Sequence, residues 1–177
     1  MGTRQLESEL FGRSVSFDYS ERWIGYSLLS LRLVMGWVFL LPGIRHAWNP
    51  NFSARFVIAP VADPASGNPF HWLWEPMLDW VWLLTPLNSI GLILVGVALI
   101  LGALVRFSAF WGALMMAFYW AAALPLENAF LIDDHVVYIL LLFGLGALGT
   151  GRILGVDAWL EQTEFIKEHP RLKLFIG

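Results

Sequence analysis

The sequence predicts an all-α integral membrane protein, a four-helix bundle, and three observations carry that prediction. Of the 177 residues, 58% are hydrophobic and 14% charged, against roughly 25% charged in an ordinary soluble domain. Four stretches, at residues 23–41, 89–105, 107–124 and 134–149, approach the roughly 20 apolar residues that cross a hydrocarbon core. Lysine and arginine divide unevenly between the two sides that these spans define. The mean hydropathy of +0.63 agrees.

The opening "MGTRQLESELFGRSVSFDYSER" is mixed polar and lacks the apolar core and small-residue cleavage site of a signal peptide. The first span is therefore expected to be anchor and targeting signal at once. A long outer loop, 43–88, follows. Its "NPFHWLWEPMLDWVWLLTP" is too apolar for a free loop and too broken by Glu75, Pro76 and Asp79 to span. A short helix on the outer surface, or folded over the bundle mouth, fits that pattern. Spans two and three are joined by a tight turn near Leu104 to Ser108, with Arg106 its single charge. Span four closes in the glycine-rich "FGLGALGTGR". Residues 150–177 form a tail in which "AWLEQTEFIKEH" reads as an amphipathic surface helix, capped by Asp157 and stopped near Pro170. The whole of 1–177 reads as one domain.

Orientation follows from the basic residues. Arg4, Arg13, Arg22, Arg106, Arg152, Lys167, Arg171 and Lys173 fall on one side, and Arg45 and Arg55 on the other. The excess puts both termini in the cytoplasm of a prokaryotic cell, with the chain crossing its membrane several times. Lipid is the expected surroundings. At a net charge of −3, nucleic acid is not an expected partner.

Arg32 stands near the middle of span one, where an arginine costs about 2.5–3.5 kcal/mol on an insertion scale. At about 100° per residue, Gly25, Gly36, Phe39, Gly43 and His46 share its stripe, which should face other helices. Two readings stay open: Arg32 bonds carbonyls or a carboxylate to lock the bundle, or it holds an anion or the polar head of a ligand at the bundle centre. In span three, Gly112, Met115, Met116 and Tyr119 form a stripe that serves as core. The same stripe would suit a flat quinone ring, with Tyr119 as hydrogen-bond donor.

The segment "ENAFLIDDHVVYILLLF" brings Glu127, Asp133, Asp134 and His135 to the outer mouth, beside Arg45 and His46. Asp133 and Asp134 suit the start of a helix, where carboxylates cap free N–H groups. Asp134 with Tyr138, or His135 with Tyr138, could instead relay a proton at helical spacing. The chain has no cysteine, so thiolate metal sites and disulfides are excluded, and His46 with His135 matches no ligand spacing. No metal is expected.

"LRLVMGWVFLLPGIRHAW", "GLILVGVALILGALVRFSAF" and "DDHVVYILLLFGLGALGTGRILGVDAWL" together resemble the DoxX/DoxD-like membrane proteins over about residues 23–160. Arg32 and the closing Gly149, Gly151, Arg152 and Asp157 are the most recognisable pieces; Arg45 matches a basic stop, and Asp133 or Asp134 the acid that opens the last span. The resemblance implies thiosulfate oxidation to tetrathionate, with quinone as electron acceptor and a second small, DoxA-like membrane subunit as partner. On that reading Arg32, Asp134, His135 and Tyr138 are the catalytic candidates. Arg45, His46 and Glu127 would meet the donor, and Met115, Met116 and Tyr119 the quinone. Two alternatives remain, a non-redox accessory subunit of a terminal quinol oxidase and a membrane carrier or assembly factor.

Overall fold

The computed structural model describes residues 3–126 and 131–177, and the chain is mostly helical. It is not all-α. Strands β1 (Thr3–Leu10) and β2 (Arg13–Ser20) form an antiparallel hairpin with Leu6 opposite Phe17 and Ser8 opposite Val15. The alternation Val15, Phe17, Tyr19 against Ser14, Ser16, Asp18 has the strand period of two. Phe11 and Gly12 both take positive φ, 53° and 72°, the two-residue turn whose twist matches the strands it joins.

Helix α1 (Glu21–Trp48) continues directly from the hairpin. Beyond it the connection between α1 and α4 holds α2 (Arg55–Ala62), α3 (His71–Trp74) and a 3-10 turn at Pro76–Trp80 leading into α4 (Val81–Leu101). Among the described residues, two helical runs, Glu21–Trp48 and His71–Leu101, are long and apolar enough to cross a membrane. The second begins well before residue 89, because the apolar run "VWLLTPL" keeps the helix going past Pro86. The turn into α5 (Val105–Ala123) is confined to residues 102–104, where Gly102 has φ 66° and Leu104 φ 50°. Arg106 and Ser108, expected in that turn, already belong to α5. Helix α6 (Asp134–Ala147) has 14 residues, and the left-handed Gly149 follows its end.

Four long helices pack around a common core: α1 lies against α4, α5 against α6, α4 touches α5, and α1 touches α6. Met35 and Phe39 of α1, Leu92 and Leu99 of α4, Met116 of α5 and Leu142 of α6 meet there. Outward, the helices are bare and apolar, with Leu87, Ile90 and Leu94 on α4 and Val137, Leu140 and Phe143 on α6 all exposed. Soluble monomers rarely leave so continuous an apolar surface uncovered.

The connection between α1 and α4 forms a cover with a second small core of Ile58, Ala62, Trp74 and Ala121. Asn68, 2% exposed, holds that cover down. Its Nδ2 donates to the carbonyls of Ala121 (2.9 Å), Ala122 (3.3 Å) and Leu124 (2.7 Å), the orphan acceptors at the end of α5. Its Oδ1 accepts from the Phe70 N–H at 2.8 Å. Asn68→Ala leaves those groups unpaired, and we expect a loss of about 1–3 kcal/mol. Faster proteolysis between residues 50 and 75 than in wild type checks it.

The tail departs from a single surface helix. It forms two short helices, α7 (Val156–Leu160) and α8 (Glu164–Glu168), followed by a 3-10 turn at Pro170–Leu174. Thr163, whose hydroxyl donates to the Leu160 carbonyl at 2.6 Å, breaks the run between them. Ile166 and Ile176 are buried, so the tail folds back on the protein rather than lying wholly along its surface. Asp157 does not cap the segment it opens. Fully buried, it accepts from the N–H groups of Leu104 (2.6 Å) and Val105 (3.0 Å) at the start of α5, and from Gly177 N–H (3.0 Å).

Candidate functional site

The ends of α1, α4, α5 and α6 farthest from the hairpin bring together a polar chain inside an otherwise apolar assembly. His46, in the last turn of α1, lies flat on Phe52, with ring centroids 3.8 Å apart and planes 6° from parallel. Asn88 of α4 donates from Nδ2 to His46 Nδ1 over a long 3.4 Å. The Tyr119 hydroxyl of α5 donates to Asn88 Oδ1. Across the Tyr119 ring, edge to face at 5.9 Å, stands the imidazole of His135 on α6. His135 Nδ1 bonds Asp133 Oδ2 at 2.7 Å and lies 3.5 Å from Asp134 Oδ1.

Each member is set by local structure. Asp133 is the N-cap of α6, its Oδ1 accepting from the Val136 N–H at 3.3 Å while its other oxygen faces His135. Burial pushes the Asp133 carboxyl up, but the His135 and Val136 hydrogen bonds outweigh it and hold the group below its ordinary value. Asn88 has a two-sided role. By accepting from Tyr119 and donating to His46 it requires His46 Nδ1 to be an acceptor, so a neutral His46 carries its proton on Nε2. Asp133, Asp134 and His135 also place ligand atoms within 4.8 Å of one another. The His135 hydrogen bond to Asp133 already accounts for that closeness.

The residues singled out from sequence are thus divided. Tyr119, His46, His135 and Asp134 gather at this end. The carboxylate closest to His135 is Asp133, and the tyrosine facing it is Tyr119, while Tyr138 packs against the apolar core. Arg45 is exposed. Met116 fills the core, and Met115 packs on Gly91, where an added Cβ would meet its sulfur at 3.4 Å. Glu127 lies outside the described residues. Asn88 carried no sequence signal beyond a lone amide in "LTPLNSIGL".

Arg32 belongs to the opposite end, about 21 Å along α1 from His46 at 1.5 Å per residue. It is 1% exposed. Its Nη1 donates to the carbonyls of Thr150 and, at 3.0 Å, Ile153. Gly102 and Gly155 wall the guanidinium so closely that a Cβ on either would come within 2.7 and 3.0 Å of Nη1. Arg32 therefore ties α1 to the segment after α6, bonding carbonyls as the first of the two readings has it, and it does not share a mouth with His135. On the surface nearby, Arg152 grips Glu161 with Nε at 2.9 and 3.0 Å and Nη2 at 2.5 Å. That pairing holds the Glu161 carboxyl below its usual value and raises the Arg152 guanidinium.

Chemically, the polar chain offers two imidazoles, a phenol and a carboxylate held in fixed relation, the set needed to hold and hand over protons beside an apolar interior. No protein-family model, no curated protein and no solved structure matches this chain.

Proposed function

We propose that this chain is a multi-pass membrane subunit of a quinone-linked oxidoreductase, a four-helix bundle with both termini cytoplasmic, and that the His46–Asn88–Tyr119 chain with the His135–Asp133 pair is its proton-handling site. The observation that carries the reading is this cluster of protonatable groups from α1, α5 and the start of α6, with the Asn88 amide of α4 bonded between His46 and Tyr119 and the His135 ring against Tyr119, in an assembly whose outer face is apolar. The resemblance to DoxX/DoxD-like proteins supplies the donor class. Two thiosulfates release two electrons on joining as tetrathionate, and a quinone takes up those electrons with two protons.

On this reading a quinone oxygen would be met at the seam of α5 and α6 and not deep in the core, because Met115 and Met116 are already packed. His135, half-buried, would meet the oxygen with Nε2, since Nδ1 is taken by Asp133. Asp133 stabilises the imidazolium each time His135 takes up a proton from the outer solvent. Asn88 keeps the Tyr119 hydroxyl directed away from lipid and ready to donate. Arg32 holds the helix ends and takes no part in proton handling.

The test is thiosulfate-dependent reduction of a soluble quinone analogue by the native assembly. We expect Tyr119→Phe and His135→Gln each to lower the rate by about 10²-fold or more, a general acid–base loss, with the unfolding midpoint within a few degrees of wild type. Wild-type rates in both variants overturn the reading. The packing of Met115 and Met116 favours a second reading, a non-redox accessory subunit of a terminal oxidase. On that reading the purified chain has no quinone activity and copurifies with haem-bearing subunits.

A further inference from the structure

At the end of the protein that carries the tail, α5 and the last residues border an open cleft of about 400 Å³ lined by Arg106, Phe107, Phe110, Trp111, Leu174 and Phe175. Backbone-level latches build it. The Phe107 N–H donates to the Phe175 carbonyl at 3.3 Å. Arg106 donates from Nη1 to Lys173 O at 3.3 Å and from Nε to Gly146 O at 3.2 Å. The strap of residues 173–175 is thus fastened across the first turn of α5.

The walls are aromatic and braced against each other. Phe107 meets Phe175 edge-on at 5.8 Å and Trp111 at 6.1 Å, and Phe110 meets Trp111 at 5.6 Å. Their outer faces are nevertheless bare: Phe110 is 63% exposed and Leu174 71%. One end of this apolar slot is cationic. Arg106 lines the slot itself, Lys173 adjoins it through the carbonyl that Arg106 Nη1 holds, and the nearby Glu161 is already paired with Arg152. The other acid here, Asp157, is sealed beneath them and saturated by three backbone N–H groups.

We propose that this cleft is a binding site for a phospholipid with an anionic headgroup, its phosphate against Arg106 and Lys173 and an acyl chain along Phe110 and Trp111. A small soluble anion would use the cations and leave the aromatic slot bare. A zwitterionic lipid would fill the slot and leave the excess positive charge unmatched. An anionic lipid satisfies both, and basic side chains at a membrane surface attract such lipids by about 1 kcal/mol each. The proposal rests on the membrane reading above and is independent of any redox role.

The test uses the delipidated full chain in detergent, with phosphatidylglycerol or phosphatidylcholine of the same acyl chains added. Lipid retained in native mass spectra and the shift in unfolding midpoint are the readouts. We expect phosphatidylglycerol to be held at least about tenfold more tightly than phosphatidylcholine and to raise the midpoint more. Its hold should weaken between 0.05 and 0.5 M salt, as about tenfold more salt shortens electrostatic reach threefold. Because Arg106 also fastens the strap, the clean variants are Lys173→Gln, which lowers selectivity, and Phe110→Ala, which lowers retention of both lipids. Equal retention of the two lipids by wild type, or indifference to both substitutions, overturns the site. Recovery of wild type in the soluble fraction of cells would instead overturn the membrane reading, which separates the two failures.

Discussion

Replacing Asp157 with alanine should lower the unfolding midpoint of the detergent-solubilised protein by about 10 °C, the largest loss expected from any single polar side chain in the fold. The physical reason is the number of groups that depend on one carboxylate. Leu104, Val105 and Gly177 each donate an N–H to it, and it lies close enough to Arg32 to act on that buried guanidinium. Removing it leaves buried donors without acceptors and a buried cation without its counter-charge, a change that costs about 3–5 kcal/mol. For a chain of this size each kcal/mol moves the midpoint by about 2–4 °C. Asp157→Asn keeps an acceptor oxygen but not the charge, and should lose about half as much. Tryptophan fluorescence against temperature measures both. Midpoints unchanged in both variants would mean that the start of α5 is held by something else.

The second large effect is steric. At Gly96 an added Cβ would come within 2.5 Å of Leu40 N, 2.7 Å of Leu40 Cβ and 2.8 Å of the Gly36 carbonyl oxygen. Two of these are backbone atoms, which cannot rotate away, so α1 and α4 would have to separate. Gly96→Val should therefore cost about 3 kcal/mol, at the upper end of ordinary overpacking, and broaden the elution profile of the purified protein. Gly25, on the same face of α1 by helical spacing, has nothing within 4 Å of its would-be Cβ. Gly25→Ala should leave the midpoint unchanged or raise it slightly through helix propensity, by at most about 1 kcal/mol. A matching loss at Gly25 would show that the damage is not close approach.

The apolar stretches that marked the long helices were legible in the sequence because burial and lipid contact impose their pattern on many residues at once. The hairpin was not. Its two strands have eight residues each, and the alternation in "SVSFDYS" is easily lost beside a charged context that reads as a polar leader. Helix α2 escaped for a similar reason, being short and carrying Pro60 inside. At the candidate site, His46, His135 and Tyr119 could be nominated by residue type and face, but Asn88 could not, since only its partners on α1 and α5 give it a role. Asp157 shows the same limit. Its position at the head of a helical segment suggested a local cap, whereas its acceptors are used 52 and 53 residues upstream, a relation no local pattern encodes. Arg32 was correctly marked as needing a partner, and the partner again lay far along the chain.

That distance gives Arg32 a history. Its acceptors, the carbonyls of Thr150 and Ile153, lie 118 and 121 residues further on. At about 5–20 residues per second of synthesis, Arg32 is added to the chain roughly 6–24 s before either carbonyl exists. If α1 enters the bilayer as it is made, it does so with an unmatched cation, and every later helix is laid down beside a first helix still short of its last bond. The clasp between residue 32 and residues 150–153 can therefore close only after synthesis has passed residue 153, once the other long helices have been made.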